Sequence, residues 1–418
     1  MANTLNNNQI EDIIKSAHAQ VTGADDIENI DLADVIEMGS SDNPHYKETF
    51  TGALEALIAK TYYTVTKDES GTIDPYFEDS DRFKQVVRFL SIDIPDVKEN
   101  SAWQSFGNGE GQVSKIGTYD IFKPIVYARY YCHSDSWALP MTLTGEQWDV
   151  AFSNEAELSA FVGMLWYAFD EKAQMHRKEM SYLNRNNFIA SKLASQAADL
   201  TGLKLHAVNL VQLYVDKYGL ASEGCTVDKF LTTQQALADG VRNIGLYRDY
   251  FKSPNKTFNN SPIPVACSES DMVLELISEF DSEINTILNA NTYHDEFVKL
   301  GSYNRIPFWQ GVSKEDANED IQKYDFDTVT TINVKTADGD TINKSGIIGL
   351  LVDKKAIMHT IKSERTPVKY FEIEDMTQIE YQARDQYMNN LDRNGIVFYL
   401  EDVAAVVDET PAEEVVGD

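Results

Sequence analysis

Apolar positions along this chain follow two periods. Leu158, Phe161, Val162, Leu165, Trp166 and Phe169 lie on one helical stripe. Asn154 and Glu157 just before it fit a capping box. A polar run through residue 187 continues without Gly or Pro, and Phe188, Ile189 and Leu193 resume the stripe. The pattern predicts one helix to about residue 191, roughly 38 residues and ~57 Å long. His176, beside Arg177 and Lys178, is expected on its solvated face.

Residues 84–145 alternate instead. A β-branched, aromatic run leads to the tip Gly107-Asn108-Gly109-Glu110-Gly111, and a similar run returns over 113–143. This predicts a two-stranded ribbon with arms of about 25 residues, reaching up to ~80 Å. Isolated hairpins are marginal. Such a ribbon needs cover, and a neighbouring subunit is the natural source.

The remaining pattern is mixed. Residues 1–45 read as a polar, acidic arm with short helical pieces at 9–19 and 31–38. Phe50, Leu54, Leu57 and Ile58 have helical spacing, and Tyr62, Tyr63 and Val65 then read as extended. A helix is expected from residue 227 to near Gly245, a loop over 252–271, and an acidic helix over 271–289. A hairpin over 329–342 would turn at Asp338-Gly339. A buried strand at 346–352, a sheet segment at 356–375, a helix or extended stretch at 377–392 and a last strand at 395–400 follow. Residues 408–418 form an acidic tail, and no internal repeat is present.

Composition narrows the function. The 418 residues suggest two or three structural units. Sixty-seven acidic against 36 basic residues give a formal net charge of -31. That excludes a generic nucleic-acid binder and argues against docking on an anionic membrane. Cys132, Cys225 and Cys267 are too few and too scattered for a disulfide framework. The N-terminus has no signal-peptide pattern, and no run of ~18 apolar residues spans a membrane. A reducing cytoplasm is therefore the expected folding compartment.

Candidate chemistry is thin. The glycine-rich tip lacks both G-x-G-x-x-G spacing and a following helix, so it reads as a hairpin tip. Asp316, Asn318 and Asp320 open like a calcium loop, but Ile321 stands where Gly is needed and Asp327 where a bidentate Glu is usual. Cys132-His133 has no further ligand at a workable spacing. The stripe Phe161, Trp166 and Phe169 reads as packing, not as a cofactor box. No catalytic residue, metal site or cofactor is assigned, and the chain is read as a non-enzyme.

The order of parts carries a resemblance. An acidic arm, a long ribbon, a long helix, a mixed region and a returning sheet with an aromatic last strand resemble the major capsid proteins of tailed bacteriophages, the Hong Kong 97-like fold. Residues 140–187, 270–300 and 349–399 resemble the ribbon exit and spine helix, an axial-domain helix region and the closing segment of short-tailed phage capsid proteins. The resemblance implies an α+β fold. Its parts would be an N-terminal arm (1–45), the start of a peripheral domain (46–83), an extended E-loop (84–145) and a spine helix (146–200). An axial domain (201–354), a return to the peripheral domain (355–403) and an acidic tail (404–418) would complete it.

It further implies self-assembly into hexamers and pentamers of an icosahedral shell around double-stranded DNA, which is enclosed without specific contacts. Partners would be a separate scaffolding protein, since the arm is too short for a fused scaffold, together with the portal and other head proteins. The site would be the virion, assembled in the host cytoplasm. Trp103 and Phe106 are candidate anchors of the ribbon on a neighbour. Lys354, Lys355, Lys362, Arg365 and Lys369 form a basic group expected to pair with acids of adjacent subunits. An encapsulin-like nanocompartment shell, a tail or accessory structural protein, and a soluble metal-dependent enzyme remain as alternatives.

Overall fold

A computed structural model describes residues 75–77, 87–93, 123–144, 146–147, 155–199, 201–289, 301–310, 326–335, 341–371 and 376–405. The arm, the 46–66 segment, the ribbon tip, Asn154, the Asp338-Gly339 turn, the 313–325 segment and the acidic tail lie outside these residues.

Helix α1 (Glu155–Ala198) organises the described fold. Its 44 residues are continuous and make it ~66 Å long, seven residues beyond the expected end. Nothing between 191 and 198 breaks a helix, and Ser191 and Ser195 bond their hydroxyls back to the carbonyls of Asn187 and Ser191. Two sheets pack against α1.

The first sheet is built on β12 (Met376–Asn389), a stretch that allowed either helix or strand from sequence. β3 (Asp135–Thr144) pairs antiparallel along one edge, from Asp135 opposite Asp385 to Thr144 opposite Met376. β10 (Ile357–Arg365) and β11 (Val368–Phe371) share the other edge, with a bulge between Ile361 and Ser363. Strict alternation decides the strand: Thr377, Ile379, Tyr381, Ala383 and Asp385 are buried, whereas the residues between them are less so. A helix would have scattered these positions around its circumference.

The second sheet is five-stranded, in the order β4 (Ala207–Asn209), β13 (Gly395–Tyr399), β9 (Ile347–Asp353), β5 (Met272–Ile277) and β6 (Asn304–Ile306). Every residue of β9 is buried, as befits a central strand covered on both faces. Here the last strand sits between β4 and β9, within the sheet of the 201–354 region. Gly395 has no room for a side chain, because a Cβ there would lie 2.8 Å from the Phe188 ring of α1.

Several local expectations are corrected. The helix expected from 227 to near Gly245 is two helices, α3 (Val227–Thr232) and α4 (Gln234–Lys252), which meet at the extended Thr233. The acidic 271–289 segment begins as strand β5, because Met272, Leu274, Leu276 and Ile277 fill the central sheet. It becomes α5 (Ser278–Glu283) and a π-helical turn only afterwards. α2 (Leu210–Tyr218) is capped by the Asn209 side chain and ends at Gly219 in the left-handed region, φ 66°. The short α6 (Phe326–Thr330) precedes β7 (Ile332–Lys335), which pairs antiparallel with β8 (Thr341–Lys344).

Buried charge ties α1 to both sheets. Arg177 Nη2 donates to Glu364 Oε1 at 2.6 Å and to Tyr381 Oη at 2.9 Å, with Asp385 Oδ2 3.5 Å from Nε. Arg185 Nε stands 3.5 Å from Glu275 Oε1 on β5. Lys192, fully buried, points its ammonium at the carbonyls of Phe258, Leu391 and Arg393 at 3.1–3.5 Å. Burial above all, with Lys204 adding to it, pulls its pKa down to about 7. The expected solvated face of α1 is thus only half right. Arg177 is 2% exposed, and His176 is half-buried against Trp137 at 4.7 Å between ring centroids.

Candidate assembly surfaces

The ribbon is paired as expected at its base. β1 (Val87–Asp93) and β2 (Ile125–Tyr131) run antiparallel, from Val87 opposite Tyr131 to Asp93 opposite Ile125. The return arm does not stay in the ribbon, however. It breaks at Cys132–Ser134, and β3 leaves to join β12, whose edge offers ten further pairings.

Pairing fixes which residues share a face. Phe89 and Tyr131 pack edge-to-face at 5.8 Å and against the buried Met358 and Met388. Arg129, on the same face, forms an ion pair with Asp392. That face is therefore held by the chain's own body. The opposite face carries Leu90 and Ile92 opposite Ala128 and Val126, with Tyr130 beside them. Leu90 is 51% exposed, Ile92 56%, Val126 56% and Tyr130 59%. Among the described residues, one face of the ribbon is thus docked on the chain's own body and the other leaves Leu90, Ile92 and Val126 more than half exposed.

A second open surface lies along α1. A groove of about 1150 Å³ runs between the helix, the 308–310 segment and β7, lined by Met175, Tyr182, Leu183, Phe308 and Val334 together with Glu171, Lys178, Glu179 and Lys335. Met164, Tyr167, Met175 and Leu183 of α1 are each about half or more exposed.

The expected basic group is split by the fold. Lys354 and Lys355 sit in the β9–β10 turn, where Lys354 donates its backbone N–H to Asp271 O and Lys355 donates its own to Asp353 Oδ1. Lys362 lies at the β10 bulge. Arg365 and Lys369 lie beyond it on the face of the first sheet turned away from α1, where they are joined by Arg384, which sequence reading missed. Arg384 is found only through register, since Ser363 and Ser136 both pair opposite it. Trp103 and Phe106 lie outside the described residues.

Catalytic and metal chemistry gains no support. Among the described residues no group of three or more His, Cys, Asp or Glu side chains could hold a metal ion. Burial raises the Cys267 thiol to about 12 and also raises that of Cys225, so neither is a ready nucleophile. Cys132 is exposed, and its neighbour His133 bonds Asp135 at 3.0 Å. Among the described residues no helix is long and apolar enough to cross a membrane.

The described residues thus form a two-sheet body on one long helix, with a ribbon that leaves Leu90, Ile92 and Val126 more than half exposed. The chain belongs to the Phi29-like phage major capsid protein family, whose model matches residues 10–399. Its role is therefore to form a phage capsid, and its place is the virion. No curated protein sequence matches the chain. Among solved structures, the capsid of Staphylococcus phage Andhra is similar at 10% identity and a TM-score of 0.45, covering 78% of this chain and 83% of that one. A chain of native bacteriophage P68, from a structure of its head fiber and inner core protein gp22, gives 11% identity, a TM-score of 0.45 and the same coverage. The capsid of cyanophage P-SCSP1u gives 12%, 0.39, 78% and 86%. The assignment rests on the family match, which leaves the nanocompartment and enzyme alternatives without support.

Proposed function

We propose that the chain is a Hong Kong 97-like tile that closes into hexamers and pentamers of an icosahedral shell around double-stranded DNA, assembled in the host cytoplasm with a scaffolding protein and a portal. The exposed face of the β1–β2 ribbon carries this reading. Its apolar side chains Leu90, Ile92 and Val126 are each more than half exposed. A neighbouring copy covers them. Heterologous contacts of this kind repeat around a closed ring, and several weak contacts per subunit hold the lattice together through effective concentration.

Trp103 and Phe106, which lie between β1 and β2 in sequence, are proposed to extend that contact, and Lys354, Lys355 and Lys362 to pair with acids of adjacent copies. The acidic chain suits a container, since a net charge of -31 does not hold phosphate tightly.

The test is the triple variant Leu90→Thr, Ile92→Thr and Val126→Thr, which places a β-branched strand former at each position and removes the apolar face. Each residue forfeits on the order of 1 kcal/mol of burial at the contact. The subunit should fold with an unchanged circular dichroism spectrum and fail to form shells under electron microscopy. Normal shell yield from the folded variant would refute the ribbon contact.

A further inference from the structure

The outward face of the first sheet is basic in a strongly acidic chain. Register sets it out row by row: Ser136, Arg384 and Ser363; Ala138, Gln382 and Arg365; Pro140 and Glu380; Thr142, Gln378 and Lys369. Among the described residues of these rows, three cations thus stand with one acid. All three cations are exposed. Arg365 Nε donates to Gln382 Oε1 at 2.5 Å, Arg384 Nε to Ser136 Oγ at 3.3 Å, and Lys369 Nζ lies 4.7 Å from the Phe371 ring centroid. None has a carboxylate partner among the described residues.

We infer that this face docks the acidic N-terminal segment, residues 25–42, of a second copy of the chain. That segment carries Asp25, Asp26, Glu28, Asp31, Asp34, Glu37 and Asp42 and no Lys or Arg. Complementary charge orients and selects such a contact. Where the chain enters the described structure adds a second argument. Tyr76 O accepts from His359 N at 3.0 Å, and Phe77 bridges His359 in parallel, so the N-terminal part of the chain begins beside β10, in this same sheet. The ~33 residues between Asp42 and Pro75 span up to on the order of 100 Å, enough to reach an adjacent subunit. The acidic C-terminal tail has a different root, since Val403 is bridged to Cys225, away from this sheet. The inference rests on the shell reading above.

The experiment uses full-length chains co-expressed with the phage's other head proteins, with shells counted by electron microscopy. One chain carries Arg365→Glu, Lys369→Glu and Arg384→Glu. Another carries Asp25→Lys, Asp26→Lys, Glu28→Lys and Asp31→Lys. Each alone should lose at least tenfold in shell yield, because like charges then face each other. Both sets on one chain should restore the yield. A mixture of the two singly reversed chains should restore it too, since a swapped arm then meets a swapped face only between copies.

Restoration in the double chain but not in the mixture would place the contact within one chain and overturn the inference. Normal yield from the face-reversed chain would overturn it while leaving the shell reading intact. So would shells that form normally but lose DNA, which would make the face a phosphate site, or a defect reproduced by deleting residues 408–418 and not by reversing the arm. No shells from the unaltered chain would remove both readings. If the full reversal lowers the melting temperature, Arg365→Gln with Lys369→Gln on an otherwise unaltered chain should still lower shell yield, and a normal yield from that folded variant would overturn the inference.

Discussion

Arg177 offers the sharpest test of how the fold is held. Its guanidinium lies between α1 and the first sheet, 2% exposed, with Glu364 and Asp385 side chains at 0%. Burial opposes its charge, but Tyr381, Asp385 and Glu364 together outweigh that and hold its pKa above the ordinary value. Arg177→Met keeps the volume and removes the charge. Glu364 then retains the Tyr381 hydroxyl at 2.6 Å and Asp385 the Trp137 indole N–H at 2.8 Å, but both buried carboxylates lose the Arg177 charge. Breaking such a pair costs ~3–5 kcal/mol, and two carboxylates put this variant at the upper end. The cluster is also incompletely satisfied, since Arg177 Nη1 and Asp385 Oδ1 find no partner among the described residues. The triple variant Arg177→Met, Glu364→Gln, Asp385→Asn should therefore recover most of the loss and come within ~2 kcal/mol of the parent. Urea unfolding followed by tryptophan fluorescence reads this directly, because the Trp137 ring lies 5.5 Å from the guanidinium. A loss below ~1 kcal/mol in Arg177→Met, or a triple variant no better than the single one, would refute the argument that uncompensated buried charge sets the cost.

Two further outcomes follow from packing and protonation. Gly346 has φ 75°, and a Cβ there would lie 2.1 Å from the Leu400 carbonyl oxygen, so Gly346→Ala should cost at least ~2–3 kcal/mol in urea unfolding, and a loss within error of zero would contradict the tight approach of β9 and β13. His206 is lowered to about 4, first by burial and then by Lys192, from an ordinary 6.5. The unfolded chain therefore binds more protons between these values, and stability contributed by neutral His206 is complete above pH 6.5 and lost progressively as pH falls toward 4. His206→Gln should flatten that part of the urea-midpoint profile, and an unchanged slope would rule this residue out.

Periodicity made the long helix legible, because one apolar stripe and a run free of Gly and Pro suffice to specify it. The buried strand β9 and the β7–β8 pairing were legible for the same local reason. What local pattern could not carry was partner choice. Residues 113–143 read as one ribbon arm, yet the second half pairs with β12, more than 230 residues away. Residues 271–277 carry acids that suit a helix, but burying Met272, Leu274 and Leu276 between β9 and β6 outweighs that preference. Arg177 looked solvated beside His176 and Lys178 because its two carboxylates lie 187 and 208 residues further on. Of the basic group, only Arg365 and Lys369 share a face, and Arg384 joins them through cross-strand register, which sequence spacing does not reveal.

The distribution of charge then bears on assembly itself. Inside the subunit, Arg177, Arg185 and Arg393 stand within 4 Å of buried carboxylates, so their charge is consumed by the fold. The chain as a whole is acidic, and copies each bearing a net charge of -31 repel one another at range. Association must therefore come from surfaces that locally reverse that repulsion. In the proposed shell the ribbon does so through the apolar side chains of Leu90, Ile92 and Val126. The first sheet does so with charge, by gathering Arg365, Lys369 and Arg384 on one exposed face. At physiological ionic strength screening acts over ~8 Å, so such a patch is felt only at contact, while general repulsion is already weakened there. A subunit built this way stays apart when dilute and binds in few orientations when crowded, which is what an ordered shell requires.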